Sequence, residues 1–435
     1  MQLSDLAPDV DADADAGVQV TGFAIDHRKV APGNVFGAFQ GAVVNGEDFI
    51  PAAIASGAAA IVARGEAVVD GAHHIASDNP RKTFANLAAR YYRPTPPNVV
   101  AVTGTNGKTS CVEMTRQIWR MCGARAASIG TLGVTTPDES ISTGLTTPDI
   151  VTFLSNMNGL AREGVTHVAY EASSHGLSQF RNEGLAVAAG GFTNLSRDHL
   201  DYHADMEDYF AAKMRLFTEV VDDGGVAVIW ADDEWSGRAM DVAKGRGLTI
   251  FTVGEAGDDI LLSERIATPL GQELTVHFGA HSYAIRLPLI GAYQVANALT
   301  AAGLALATGS DPAQVFDAVA RLQPVRGRLE RAVITVAGAP VYVDYAHTPD
   351  ALTAAIEALR PHVSRRLICV FGAGGDRDAG KRAPMGKAAA AAADLVIVTD
   401  DNPRGEDAAA IRAAVLKGAP QALSLIHISE PTRRH

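Results

Sequence analysis

Cysteine is scarce in this 435-residue chain, which carries only Cys111, Cys122 and Cys369. An odd, sparse set gives no disulfide framework and suits a reducing compartment. Long apolar runs are missing too. No stretch of about 18 uninterrupted apolar residues occurs, so no membrane-spanning helix is expected. Residues 1–15 are acidic and lack the basic and apolar regions of a secretory signal. Positive charge is outnumbered, with 37 Lys and Arg against 49 Asp and Glu and a formal net charge of -12. That balance argues against a nucleic-acid partner, because binding to a phosphate backbone rests on clustered Lys and Arg. It leaves room for a local basic pocket around a small anion. The expectation is a soluble cytoplasmic protein with small-molecule substrates, no nucleic acid and no membrane insertion.

The composition that remains, 47% hydrophobic and 20% charged, is that of an ordinary globular protein. The length allows two to four domains of about 100–200 residues each. Pro94, Pro96 and Pro97 read as a stiff linker. Ahead of them lie strand-like runs at 18–21 and 60–63 and a helical stretch at 81–90. Residues 1–93 therefore read as a small α/β domain.

From 98 onward, strands (98–103, 167–170, 225–230) alternate with helices (108–121, 297–308), the pattern of a parallel sheet covered on both faces. A second boundary at Gln323-Pro324 gives a central domain of 94–324. Three more strands, at 341–344, 367–371 and 395–399, with helices between them, give a Rossmann-like third domain of 325–422. The fold class is α/β in three domains.

Chemistry concentrates at strand ends. Gly104, Thr105, Asn106, Gly107, Lys108, Thr109 and Ser110 follow a buried strand and open a helix, so backbone N–H groups would face a phosphate. Lys108 would reach the outer phosphates and Thr109 would hold Mg²⁺. The strict phosphate-loop spacing asks for glycine where Val102 stands, and a plain strand-to-helix turn is the alternative. Glu171, just past a strand, suits a metal or a surface loop. His199, in a His- and Asp-rich run at 192–203, suits a metal site or a capping role. Lys213 by itself reads as an exposed helix lysine.

Taken together, GTNGKTS at 104–110, EASSHGL at 171–177, FTNLSRDHLDYH at 192–203, GRLE at 327–330, VDYAHTPDAL at 343–352, FGAGGDRDAGKR at 371–382 and DDNPR at 400–404 resemble the Mur ligases of peptidoglycan synthesis. The resemblance runs from about residue 20 to about residue 422. It implies a monomeric, ATP-dependent acid–amino-acid ligase with a nucleotide-sugar-binding first domain, a central ATP-binding domain and an amino-acid-binding third domain.

The resemblance also implies site residues. Lys108 binds the β- and γ-phosphates, Thr109 and Glu171 hold one Mg²⁺, and His199 holds a second. Lys213 carries a carbamate derived from CO₂ that also serves the metal. Asn297, Arg328 and Asp344 contact ATP. Thr146, Thr147, Ser173, Gln179 and Arg181 contact a UDP-linked peptide. Asp401, Asn402, Pro403 and Arg404, with Arg377, mark the branch that adds meso-diaminopimelate, whose extra carboxylate an arginine fork grips in two places. An L-lysine-adding enzyme of the same kind and a folylpolyglutamate synthase-like ligase are the alternatives. In the first domain Asp26-His27-Arg28 departs from the family's Asp-Ser-Arg, and residues 42–44 lack its usual polar side chains. Residues 423–435 do not fit the family and resemble a translated sequencing adapter. On that reading the third domain is cut short, its sheet exposing an edge and apolar surface.

Overall fold

The computed structural model describes residues 1–6, 17–41, 44–141 and 146–425. Residues 42 and 43 of the expected uridine turn and residues 426–435 of the suspected tail lie outside that set.

A four-stranded parallel sheet opens the chain: β1 (Gly22–Ala24), β2 (Asn34–Gly37), β3 (Ala60–Ala63) and β4 (His73–Ala76), in sequence order. Short helices α1 (Leu3–Leu6) and α2 (Ile50–Ala55) accompany it, and α3 (Pro80–Tyr91) closes the unit. Asn79 caps α3 by accepting from Lys82 N at 3.1 Å, with Pro80 in the first turn. The expected strand at 18–21 is not one. Gln19 makes only an isolated bridge to Gln2, because its partner segment turns into α1 at Leu3. This unit shares packing with the next. Phe84, Leu87 and Ala88 of α3 share a buried cluster with Val99, Phe153 and Tyr170.

The central element is an eleven-stranded sheet. In chain order its strands and helices are β5 (Asn98–Thr103), α4 (Lys108–Met121), β6 (Ala126–Gly130), β7 (Gly133–Thr135), β8 (Ser140–Ile141), α5 (Ile150–Arg162), β9 (His167–Glu171), α6 (Ser174–Ser178), β10 (Val187–Phe192), α7 (Met206–Arg215), β11 (Val221–Trp230), α8 (Ser236–Gly245), β12 (Thr249–Gly254), β13 (Ile260–Thr268), β14 (Gly271–Phe278), β15 (His281–Leu287), α9 (Ala292–Ala307) and α10 (Pro312–Val319). The strand order is 15-14-13-12-11-10-5-9-6-7-8.

Strands 6, 9, 5, 10, 11 and 12 run parallel, and their central segments, such as 99–102, 168–170 and 227–229, are apolar and buried, as strands covered on both faces must be. The sheet is mostly parallel, as expected, and β13–β15 and β7–β8 add antiparallel arms at its two ends. From β5 the chain first winds to one side, through β6 and β9, and then to the other, through β10 and β11. The crevice at the carboxyl ends of β5, β9 and β10 is therefore the switch point where open α/β sheets hold ligands.

The third unit has a hairpin, β16 (Glu330–Ile334) with β17 (Pro340–Val343), then α11 (Pro349–Leu359), β18 (Ile368–Phe371), α12 (Arg382–Ala392), β19 (Leu395–Val398), α13 (Ala408–Leu416) and β20 (Leu423–Ser424). β18, β19 and β20 pair in parallel around a core of Leu352, Ile356, Met385, Val398 and Val415. Leu423 and Ser424, read from sequence as outside the domain, thus form its third strand. The hairpin and β18 leave Val333, Ile334, Val343, Ile368 and Val370 exposed.

Candidate functional site

Helix α4 begins without a side-chain cap, and Gly107 before it is left-handed at φ +89°. Its first N–H groups are therefore free for an anion, and the helix dipole favours one there. A side chain at Gly104 (φ +142°) would lie 1.9 Å from Thr193 Oγ1, so only glycine lets the loop pass the end of β10. The loop is bolted to that end. Asn106 N donates to Asn194 Oδ1 at 2.9 Å, Thr193 Oγ1 donates to Asn106 O at 2.6 Å, and Thr105 Oγ1 lies 3.2 Å from Tyr209 OH. Thr193, Asn194 and Tyr209 were not singled out in the sequence. The signal available for the first two was their place in the strand-end FTN run.

Lys108 and Lys213 converge on one atom. Their Nζ groups donate to Gly104 O at 2.8 and 2.7 Å. Lys213 is 1% exposed, not the surface lysine its helix context suggested. Burial, reinforced by the neighbouring Lys108 charge, pushes its ammonium well below the ordinary lysine value. Burial also lowers Lys108, against the pull of Glu171 and Asp198. Lys213 sits 4.3 Å over the Tyr209 ring, and His199 packs on the same ring at 6.0 Å. His199 holds the left-handed φ of +55°. Burial brings its imidazole down to about 3; Asp198 opposes this shift, and Lys213 and Lys108 add to it. At neutral pH His199 thus offers an uncharged nitrogen.

Glu171, the last residue of β9, is 2% exposed and accepts from Thr109 Oγ1 at 2.9 Å and from Thr131 N at 2.7 Å. Thr131, between Gly130 and the start of β7, is a further site residue that sequence reasoning missed. Arg328 Nη2 donates to Thr109 Oγ1 at 2.7 Å, which brings the start of the third unit to the phosphate loop. Asn297 lies against the loop from α9: a side chain at Gly107 would meet its Oδ1 at 2.3 Å. Asp344 accepts from Leu329 N at 2.7 Å and from Tyr293 OH at 3.4 Å, and burial raises its carboxyl.

The residues expected around the peptide substrate form a second group. Thr147 Oγ1 donates to Glu171 O and lies 2.9 Å from Ser173 Oγ, while Thr146 Oγ1 is 3.1 Å from Thr131 Oγ1. Arg181 spends its fork on Thr147 O and Gln179 Oε1. A third group lies on the third unit. Arg404, left-handed at φ +50°, donates to Gly375 O at 2.6 Å, and Gly375 N donates to Asn402 O at 3.1 Å. A side chain at Gly374 would be 2.8 Å from Arg404 Nη1 and 3.8 Å from Arg377 Cγ, so the two arginines flank one glycine. Asp401 lies over Gly372, and Pro403 over Gly375. Asp198, two to three per cent exposed, receives Lys381 Nζ at 3.0 Å. Burial alone would raise its carboxyl; the His347 hydrogen bond and the charges of His199, His347 and Lys381 hold it below the usual range.

In the first unit a cavity of about 540 Å³ is lined by Asp26, His27, Phe39, Phe49 and Arg81. His27 stacks on Phe49 at 4.4 Å and 4°, and Arg28 clasps Asp26 in two places.

Among the described residues no three His, Cys, Asp or Glu side chains gather into a metal cage. A hard divalent cation that keeps water and takes its remaining oxygens from phosphates needs only one or two carboxylates. Thr109 with Glu171, and an uncharged His199 beside Lys213, fit such a cation.

A glycine loop on a helix start, a carboxylate–hydroxyl pair beside it and a buried lysine behind it make a nucleotide-dependent group-transfer site. Three family models cover nearly the whole chain: Mur ligase family, catalytic domain (residues 19–95), Mur ligase middle domain (102–305) and Mur ligase, glutamate ligase domain (327–433). The chain belongs to the Mur ligase family of ATP-dependent amide-bond-forming ligases. It is 60% identical over 403 residues, 93% of this chain and 83% of the relative, to the UDP-N-acetylmuramoyl-L-alanyl-D-glutamate–2,6-diaminopimelate ligase of Zymomonas mobilis. It is 53% identical over 410 residues, 93% of this chain and 84% of the relative, to the enzyme of the same name from Bradyrhizobium diazoefficiens. A solved structure of a ligase of that name matches with a TM-score of 0.74 at 33% identity, covering 98% of this chain and 88% of that one. No described helix is long and apolar enough to cross a membrane.

Proposed function

We propose that this protein joins meso-2,6-diaminopimelate to UDP-N-acetylmuramoyl-L-alanyl-D-glutamate, driven by ATP, as a cytoplasmic monomer. The observation that carries this reading is the pairing of Arg377 and Arg404 across Gly374, with Arg377 Nη1 4.0 Å from Asp201, two residues beyond His199. Two arginines flanking one glycine near the His199 loop support a site for a distal carboxylate. L-Lysine has no such carboxylate, so the lysine-adding alternative is not favoured. The folylpolyglutamate alternative is not favoured either, because the curated relatives carry the diaminopimelate name and the first-domain model matches at 19–95.

The chemistry has two steps. A carboxylate oxygen of the peptide substrate attacks the γ-phosphorus of ATP, ADP leaves, and an acyl phosphate forms. The amine of diaminopimelate then attacks the acyl carbon, loses a proton, and inorganic phosphate leaves as the amide forms. A free carboxylate is a poor electrophile, so the phosphoryl group supplies the leaving group. The protein positions the reactants and offsets the charge.

Lys108 and the N–H groups of α4 hold the β- and γ-phosphates, with Ser110 behind them. Arg328 faces the same phosphates, Asn297 contacts ATP from beside Gly107, and Asp344 suits a ribose hydroxyl. Thr109 and Glu171 would hold one Mg²⁺ and His199 a second, and these ions would neutralise phosphate charge. Burial disfavours the Lys213 ammonium, which suits an amine that would add to CO₂, lose a proton and become a carbamate anion on the metal side. Thr146, Thr147, Ser173, Gln179 and Arg181 hold the peptide. The cavity at His27 and Phe49 takes the uridine diphosphate.

The test is phosphate release from ATP by the purified protein. It is expected only when the UDP-linked dipeptide and meso-diaminopimelate are both present. Equal release with L-lysine or with a folate and glutamate would overturn the assignment.

A further inference from the structure

The loop that carries His199 is tied to the third unit by contacts to which the reaction scheme gives no role. Asp198 Oδ1 receives Lys381 Nζ at 3.0 Å, Asp198 Oδ2 receives His347 Nε2 at 3.3 Å, and His199 Nε2 lies 3.5 Å from the same oxygen. The side chains of Asp198 and Lys381 are only 3% and 8% exposed. Lys381 is set in place locally: Asp378 caps its turn by accepting from Gly380 N at 2.8 Å, and that carboxylate also takes Arg197 Nε at 3.3 Å. A side chain at Gly380 would strike Arg197 Nη2 at 2.7 Å, so the turn and the loop are shaped to each other.

The bonding continues beyond Lys381. Arg382 grips both oxygens of Glu406, at 2.9 and 2.6 Å. Glu406 accepts from Asp376 N at 2.6 Å, and Gly405 N donates to Asp376 Oδ2 at 2.9 Å. These bonds frame the turn that bears Arg404. A run of charge-assisted contacts therefore links the His199 loop to the acceptor turn without a gap. A buried ion pair is weak evidence for stability, because desolvation offsets most of its attraction. Its geometry is what it supplies.

We propose that the buried Asp198–Lys381 pair is a strut that sets the spacing between the phosphoryl-transfer loop and the turn holding the incoming amino acid. Lys381 is then a positioning residue, acting through Asp198 on His199 and through Arg382 on Arg404. The proposal rests on the function given above. It fixes near-attack placement, to which rates are sensitive at about the ångström scale.

The experiment uses the full chain with Lys381→Met, Lys381→Arg and His347→Gln. In Lys381→Met the KM for meso-diaminopimelate and the half-saturating Mg²⁺ concentration both rise roughly tenfold. The Kd of a fluorescent ATP analogue, measured without the other substrates, stays within about threefold of wild type. Lys381→Arg recovers most of the loss, and His347→Gln shows the same changes at smaller size. A merely structural lysine would lower the melting temperature and the active fraction and leave both requirements where they were. Wild-type values in Lys381→Met overturn the strut; if that variant does not fold, wild-type values in His347→Gln overturn it. If wild-type protein releases phosphate without diaminopimelate, the assigned function falls, and the Mg²⁺ requirement alone then decides the strut.

Discussion

Lys108 and Lys213, 105 positions apart in sequence, donate to the same carbonyl oxygen, that of Gly104, at 2.8 and 2.7 Å. Two ammonium groups sharing one acceptor in a buried pocket repel each other, and burial favours the neutral form of both. Lys108 lies in the glycine loop itself. Lys213 is 1% exposed, and burial together with the Lys108 charge pushes its ammonium well below the ordinary lysine value.

Replacing Lys213 with methionine removes a buried amine and leaves the packing volume nearly unchanged. The expected outcome is a protein stabilised by about 1–3 kcal/mol and inactive, because the group is held for function at a cost in stability. Thermal melting without ligands checks the first half, and the phosphate-release assay checks the second. With ¹³C-labelled bicarbonate, the wild type gives a protein-bound carbamate resonance that the methionine variant lacks. A variant with wild-type turnover removes the carbamate from the mechanism.

The part of this site that sequence revealed is the part built locally. The strand at 98–103 and the helix at 108–121 agree with the structure to the residue, because a buried run, a glycine turn and an amphipathic stretch each leave a local pattern. Lys213 escaped because one lysine on a mixed helix looks like a solvated one; only the tertiary placement of α7, packed on α6 with Lys213 reaching Gly104 O, buries it. The β13–β15 arm escaped because alternating strands with exposed faces resemble surface segments. Asp198 and Lys381 are 183 positions apart, and no local pattern joins them.

In the first unit, His27 stands where the family carries serine, and it stacks flat on Phe49 beside the cavity. An aromatic pair of this kind is worth about 0.5–1.5 kcal/mol. His27→Ala is expected to raise the KM for the UDP-linked dipeptide by roughly 2- to 10-fold with kcat unchanged, the signature of lost uniform binding. Initial rates over a range of UDP-dipeptide concentrations test it. A fall in kcat at unchanged KM would move His27 away from the nucleotide.

Three clustered imidazoles set an acid limit on stability. Burial brings His175 to about 4 and His199 to about 3, and lowers His203, all from 6.5. A base whose folded value lies below its unfolded value binds its proton more readily in the unfolded chain. Stability is then complete above pH 6.5 and is lost as the pH falls toward 3–4. Melting temperatures of magnesium-free protein should be flat from pH 8 to 7 and decline from 6.5 to 5. The decline should be shallower in His203→Asn, which keeps a partner for Asp208 without a titrating ring. A melting temperature that rises on acidification through this window contradicts the assignment.

On the proposed function, Arg404 selects the acceptor. Its left-handed backbone and its bond to Gly375 O hold the guanidinium over Gly374, against which the Arg377 stem also packs. A bidentate arginine–carboxylate contact is geometrically specific, and lysine does not reproduce it. Arg404→Lys should therefore lose about 10²-fold in kcat/KM for meso-diaminopimelate, and Arg404→Ala at least as much, since a site built for a charged group is left unmatched without it. Activity with L-lysine, which has no distal carboxylate, should fall by less than about threefold in either variant. The discrimination between the two amino acids then collapses from the diaminopimelate side. Steady-state rates with each acceptor at saturating ATP and UDP-dipeptide give the ratio. A parallel loss with both would mean that Arg404 shapes the turn and does not touch the acceptor.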